Sequence, residues 1–263
     1  DQQDVTLVKE GGIATITLNR PDKMNALIPG ISEGIYRGIE DASLDDTVRV
    51  IVLTGTGRAF CAGADVGAMA QRAVAPPTTD SQPTMKPGRV HIALQIQSCD
   101  KPVIAAINGV AIGVGLDLAL ACDIRIASEE ARFSEAYIRR GMIPAGGGSF
   151  FLPLLVGIDR ALLLAWTGEI IDAKEAEGIG LVTMVVPHNE LQDATRELAE
   201  KLAKGPALAV QKTKRAIYDG LGMTLEAHLE YTATIRKELL KSFDHKEGST
   251  SFVEKRAPRF KGE

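Results

Sequence analysis

Cysteine, aromatic side chains and net charge are all scarce in this chain of 263 residues, and each scarcity excludes something. Only three cysteines occur, Cys61, Cys99 and Cys122, an odd number without C-x-x-C spacing and set among apolar or small neighbours. Neither a disulfide framework nor a thiolate metal site is read from them, and free thiols in a reducing compartment are expected. Thirty lysines and arginines stand against 34 aspartates and glutamates, a net charge of −4, so no global basic field exists to gather nucleic acid or an anionic membrane. No apolar run reaches the ~18 residues of a membrane span. The longest, Val103 to Leu116, is ended by Asp117. The opening DQQDVTLVKE has no basic start followed by an apolar run, so no signal peptide is read. A soluble cytoplasmic protein is expected, or one of the mitochondrial or peroxisomal matrix had a targeting segment been removed. His91, His188, His228 and His245 share no spacing with carboxylates or cysteines that would build a metal site or a triad. Ser149, in the run Gly147-Gly148-Ser149-Phe150-Phe151, lacks the setting of a nucleophile elbow.

What is present is the composition of an ordinary globular chain, 45% hydrophobic and 24% charged, long enough to hold a core without a metal or a crosslink. Val5 to Val8 and Ile13 to Leu18 alternate around Gly11-Gly12 and predict a hairpin at a sheet edge. Ile31, Ile35 and Ile39 recur at helical spacing, followed by the β-branched run Val48 to Leu53 and by Val103 to Ile107. A helix from Gly115, a strand at Asp123 to Ala127, a helix over Asp172 to Gly178 capped by Asp172 and Glu175, and a strand at Val182 to Val186 continue the alternation. After Pro187 the pattern is helical. The expectation is an α/β body over residues 1–187 and a helical region over 188–263. Residues 71–89, with four prolines and no hydrophobic period, predict a long loop or lid.

Two glycine-bearing turns follow buried strands and precede helices. One is Gly55-Thr-Gly-Arg-Ala-Phe-Cys-Ala-Gly-Ala-Asp65; the other lies within Val103 to Asp117. The first amides of a helix lack internal partners and sit at the positive end of its dipole, so an anionic oxygen is stabilised there. A dinucleotide fingerprint fails because Leu118 stands where the third glycine should be. Taken singly each turn reads as a plain strand-to-helix connection; together they can converge on one oxyanion.

The motifs AFCAGAD (59–65), KPVIAAINGVAIGVGLDLALACD (101–123) and TGEIIDAKEAEGIGLV (167–182), with RPDKMNAL near the start and SFVEKRAPRFKG at the end, resemble the crotonase, or enoyl-CoA hydratase/isomerase, superfamily over nearly the whole chain. The resemblance implies a spiral of ββα units with a C-terminal helical region that assembles a homotrimer or homohexamer. It also implies an acyl-CoA substrate and no prosthetic group, coenzyme A entering as part of the thioester. It places the two oxyanion amides at Ala64 and Val114. Coenzyme A is expected along Ala62 to Asp65, with Lys23 and a neighbouring copy's Lys255 at its phosphates and Phe252 near its adenine. From the sequence alone Phe252, beside Val253, reads as core.

The acid–base positions depart from those of hydratases, which carry two glutamates. The first falls on Asp117, one helical turn after Val114; without the resemblance it reads as a first-turn acid complementing the dipole. The second falls on Tyr137, and Ala145 stands where some isomerases carry an aspartate. Glu135, two residues before Tyr137, reads as a solvated charge. One carboxylate suits a proton shuttle between carbons better than addition of water, which commonly uses a pair. The expected reaction is therefore isomerisation or variant hydration by Asp117, with Tyr137 as a hydrogen-bond donor or an acyl-pocket wall. Dienoyl-CoA isomerase-like chemistry and C–C or C–O cleavage are the alternatives within the family. An RNA-binding reading would use Lys201, Lys204, Lys212, Lys214 and Arg215 as one solvated helix face.

Overall fold

A computed structural model describes residues 3–65 and 90–263, so the proline-bearing segment 71–89 lies outside the described residues. The glycine pair Gly11-Gly12 takes positive φ (59° and 82°) and turns β1 (Val5–Glu10) into β2 (Ile13–Leu18). This antiparallel hairpin edges a six-stranded sheet whose order continues through β3 (Val50–Gly55), β5 (Val103–Ile107), β7 (Ile124–Ser128) and β10 (Met184–Val186), all parallel from β2 onward. Parallel strands covered on both faces read as unbroken apolar runs, and β5, VIAAI, is buried at every residue. Val103, Ala105 and Ile107 join the core beneath α1 (Pro29–Leu44), α2 (Ile92–Ser98) and α3 (Val114–Ala121). Ile104 and Ala106 face Leu191 and Ala199 of α7 (Leu191–Ala203) on the other side.

A second, smaller sheet leads into the two glycine-bearing turns. Its order is β4 (Ala59–Cys61), β6 (Val110–Ile112), β8 (Arg132–Ser134) and β9 (Ile171–Asp172); the first three are parallel and β9 is antiparallel. Ligands collect outside the carboxyl ends of parallel strands, where successive turns open side by side. Between β8 and β9 lie α4 (Gly148–Val156) and α5 (Ile158–Thr167), and α6 (Ala173–Gly178) follows β9 with Asp172 as its cap, accepting from Glu175 N–H at 2.8 Å.

Among the described residues, only helices follow β10: α7, α8 (Ala207–Gly220), α9 (Leu225–Leu239) and α10 (Phe243–Glu254). The lysine-rich stretch is not one solvated face. Lys214 is 8% exposed and ion-paired to Asp123 at 2.8 Å, where Tyr218 O–H also bonds, so it fastens α8 to the body. Lys204, Lys212 and Arg215 pair with Glu200, Glu238 and Asp100. Phe252 and Val253 are not core either. They are 85% and 80% exposed on α10, because the chain turns back after Lys255 and lays residues 260–263 against the start of that helix: Asp244 accepts from Lys261 and Gly262 N–H.

Candidate active site

The turns after β4 and β6 approach each other as closely as glycine permits. A Cβ on Gly63 (φ 95°) would stand 2.7 Å from Ile112 O, and one on Gly115 would overlap Cys61 O. Two buried asparagines fix the first turn. Asn25 Nδ2 donates to Thr56 O and Ala59 O, while Asn108 accepts from Gly55 N–H and donates to Gly57 O and Ala59 O. Leu27 N–H bonds Gly63 O at 2.7 Å and Asp65 N–H bonds Leu27 O, which leaves Ala64 N–H turned away from this ladder. Neither Ala64 nor Val114 N–H has an acceptor among the described residues. Val114 opens α3 after Gly113 (φ 54°), so its amide also lies at the positive end of the helix dipole.

Asp117, fourth residue of α3, lies in its first turn and is fully buried. Its Oδ2 accepts from Tyr137 O–H at 2.5 Å and from Gly146 N–H at 2.8 Å, just ahead of the N-terminus of α4. Burial raises its pKa above the usual carboxylate range, against the lowering effect of those donors. Tyr137, in the 3₁₀ turn Ala136–Arg140 after β8, is half-buried, and its ring passes 3.8 Å from the point a Gly113 Cβ would occupy. Burial, then the Asp117 charge, push the phenol well above its ordinary value.

Glu135 corrects the sequence reading. It is 1% exposed, both carboxyl oxygens are buried without a hydrogen-bond donor among the described residues, and it touches Asp117. Burial and the Asp117 charge push it up to about 9, so it holds its proton at neutral pH. Its backbone, φ −86° and ψ 59°, belongs to neither a strand nor a helix, so neither periodicity locates the side chain.

A cavity of about 300 Å³ adjoins this cluster, walled by Leu27, Tyr36, His91, Val114, Leu118 and Gly146. His91 Nδ1 accepts from Ala93 N–H and caps α2. The coenzyme A candidates divide into two places. Lys23 is exposed at the end of the turn Pro21–Lys23, and the next residue, Met24, accepts from Ala62 N–H at 3.0 Å; Asp65 pairs with Arg20 at 3.3 Å. Phe252 stands on the last helix, and Lys255 caps its C-terminus. Burial pushes the Cys61 thiol up to about 11 and Cys122 to about 12, leaving neither as a nucleophile. Among the described residues no group of three His, Cys, Asp or Glu side chains could hold a metal ion, and no helix is long and apolar enough to cross a membrane.

A doubly sheeted α/β body whose parallel strands end in two free amides above a buried carboxylate is an enzyme of the crotonase fold. The family model for enoyl-CoA hydratase/isomerase matches residues 8–263. The chain is 39% identical to a probable enoyl-CoA hydratase of Rhodobacter capsulatus over 95% of each chain, and 35% identical to the 1,2-epoxyphenylacetyl-CoA isomerase of Escherichia coli over 96% of each. The crystal structure of the Bacillus anthracis enoyl-CoA hydratase superposes with a TM-score of 0.89 at 34% identity, covering 99% of this chain and 100% of that one. The chain belongs to the enoyl-CoA hydratase/isomerase family.

Proposed function

We propose that the protein shifts the double bond of an enoyl-CoA by moving a proton between the carbon next to the thioester carbonyl and one further along the acyl chain. The observation that carries this reading is the pair of amides without an acceptor among the described residues, Ala64 and Val114, with the buried carboxyl group of Asp117 one helical turn after Val114. The amides hold the thioester oxygen as it becomes an enolate, an arrangement in which one donor can be worth about 3 kcal/mol. Asp117 is covered by Tyr137 O–H, so the proton travels through that hydroxyl. The phenol oxygen takes the substrate proton while its own proton passes to Asp117 Oδ2, and no tyrosinate forms. The reverse transfer delivers the proton to the other carbon.

Lys23 and the strip Ala62 to Asp65 serve coenzyme A in this reading, with Phe252 and Lys255 supplied by a neighbouring copy. No prosthetic group takes part. The exposed apolar faces of α5 and α9, including Ile158, Trp166, Leu225 and Leu229, support a homotrimer or homohexamer. The reading has no role for nucleic acid or membrane, and places the enzyme in the cytoplasm, or in a mitochondrial or peroxisomal matrix after loss of a targeting segment. Hydration is the second reading, favoured by one observation: Glu135 gives Asp117 the second carboxyl group that Tyr137 does not.

Incubating the protein with 2-enoyl- and 3-enoyl-CoA in heavy water and locating deuterium by mass spectrometry and NMR tests this. Interconversion of the 2-enoyl and 3-enoyl thioesters without a hydroxyl group is expected, with deuterium at the protonated carbon where the relayed proton exchanges with solvent. A hydroxyacyl product assigns hydration instead, and absence of both migration and hydration overturns the proposal.

A further inference from the structure

A carboxylate stripped of water needs donors on both oxygens, because burying an unpaired charge costs several kcal/mol. Asp117 has two donors on Oδ2, Tyr137 O–H and Gly146 N–H. Its Oδ1 has none that meets hydrogen-bond geometry; Gly148 N–H stands near enough to favour the charge and no more. What does face Oδ1 is the carboxyl group of Glu135. The two crowd one point: a Cβ on Gly148 would lie 2.6 Å from Glu135 Oε1 and closer still to Asp117 Oδ1. Among the described residues, Glu135 in turn has no hydrogen-bond partner on either oxygen. The ionisable groups acting on it are Asp117, from α3, and Tyr137, two residues on in its own turn. Two adjacent buried carboxyl groups that lack other donors satisfy each other only when one carries a proton.

We infer that Glu135 is a positioning residue for the proton step: it carries a proton that it donates to Asp117 Oδ1, and this shared hydrogen bond keeps Asp117 ionised although it is buried. The inference rests on the role proposed above for Asp117. At rest the pair holds one proton and one negative charge. When the substrate C–H bond breaks, its electron pair passes to the thioester enolate and its proton reaches Oδ2 through Tyr137. The pair then holds two protons and no charge until one returns to the product carbon. A charged Glu135 would instead face the Asp117 carboxylate and break this cycle, so the buried acid also defines the alkaline limit of the enzyme.

Infrared difference spectroscopy and pH–rate profiles of Glu135→Gln and Glu135→Ala test the inference. Wild-type protein at neutral pH is expected to show a protonated-carboxyl band that shifts in heavy water and is lost in Glu135→Gln. The alanine variant is expected to lose tenfold or more in kcat. The glutamine, whose amide still donates to Oδ1, recovers part of that loss and no longer shows the wild-type alkaline limb. A band that survives in Glu135→Gln, or an alkaline limb unchanged by that substitution, overturns the inference. Product analysis separates this from the function proposed above. A Glu135 band without double-bond migration removes the proposed reaction and leaves the shared proton standing, whereas migration without the band does the opposite.

Discussion

Gly115→Ala should damage catalysis through a single methyl group placed outside any substrate contact. Gly115 is the second residue of α3, and its Cβ would overlap Cys61 O while standing 2.8 Å from Cys61 C and 2.9 Å from Cys61 Cβ. Two of those three atoms are backbone of the strand that pairs with β6, so no side chain can swing aside. Ordinary carbon contacts lie near 3.5–4.0 Å, so the start of α3 must retreat from the β4 turn by about 1 Å. That retreat separates Val114 N–H from Ala64 N–H, and a displacement of this size in a catalytic geometry costs on the order of 10²-fold in rate. Overpacking costs about 1–3 kcal/mol of stability, offset by up to ~1 kcal/mol because alanine favours the helix. The net loss of about 0–3 kcal/mol should lower Tm by up to roughly 12 °C, since each kcal/mol is worth ~2–4 °C in a chain of this size. The assay is kcat and KM on the best enoyl-CoA, with the thioester carbonyl stretch of a bound acyl-CoA as a direct report of polarisation. A large fall in kcat with the carbonyl band moved toward its solution position is expected. Gly222→Ala, where a Cβ meets nothing within 4 Å, is the control and should match wild type. A Gly115→Ala enzyme with wild-type kcat and an unmoved carbonyl band would refute the reasoning that these two amides form the oxyanion site.

Asp117→Asn keeps size and hydrogen-bonding capacity but removes basicity, so turnover should fall by roughly 10² or more with little change in melting; near-wild-type turnover would make Asp117 structural. Tyr137→Phe deletes only the hydroxyl that covers Oδ2, and an unchanged kcat in that variant would exclude the relay. Stability should also depend on pH through Glu135. Below its ordinary pKa of 4.5 both folded and unfolded chains hold the proton; from there up to about 9 only the folded chain does, so rising pH destabilises the fold by about 1.4 kcal/mol per unit over that window. Denaturant unfolding of wild type and Glu135→Gln at several pH values should show their stability difference changing with that slope, and a pH-independent difference would contradict it. Lys214→Met leaves the Asp123 carboxylate without its buried cation, so a loss of about 3–5 kcal/mol is expected, with partial recovery in the double variant with Asp123→Asn; a melt within a degree of wild type would show that the pair does not anchor α8.

Periodic and local features of the sequence determined much of the body. The Gly11-Gly12 hairpin, the Ile31, Ile35 and Ile39 stripe and the run Val103 to Ile107 are β1–β2, α1 and β5, because alternation, helical spacing and continuous apolarity each follow from a backbone repeat. Strands of two or three residues, β4, β6, β8 and β9, carry no readable period, and their pairing brings the two amide turns together. Asn25 and Asn108 carry a local signal, since asparagine beside glycine or at positive φ is turn chemistry; their amides tie the β4 turn from two directions. Phe252 and Lys214 exchanged their expected places, since exposure depends on where a helix docks and not on the hydrophobicity of one residue. Strand-to-helix order, the glycines that allow close turns, and Asp117 one helical turn after Val114 are local properties written in the chain. The inward turn of Glu135 onto Asp117 is not, and arises on folding. The orientation of a side chain in an irregular turn is set by the elements closing over it, here α3 and the Gly146–Gly148 segment, and that closure turns a surface-looking glutamate into a buried acid.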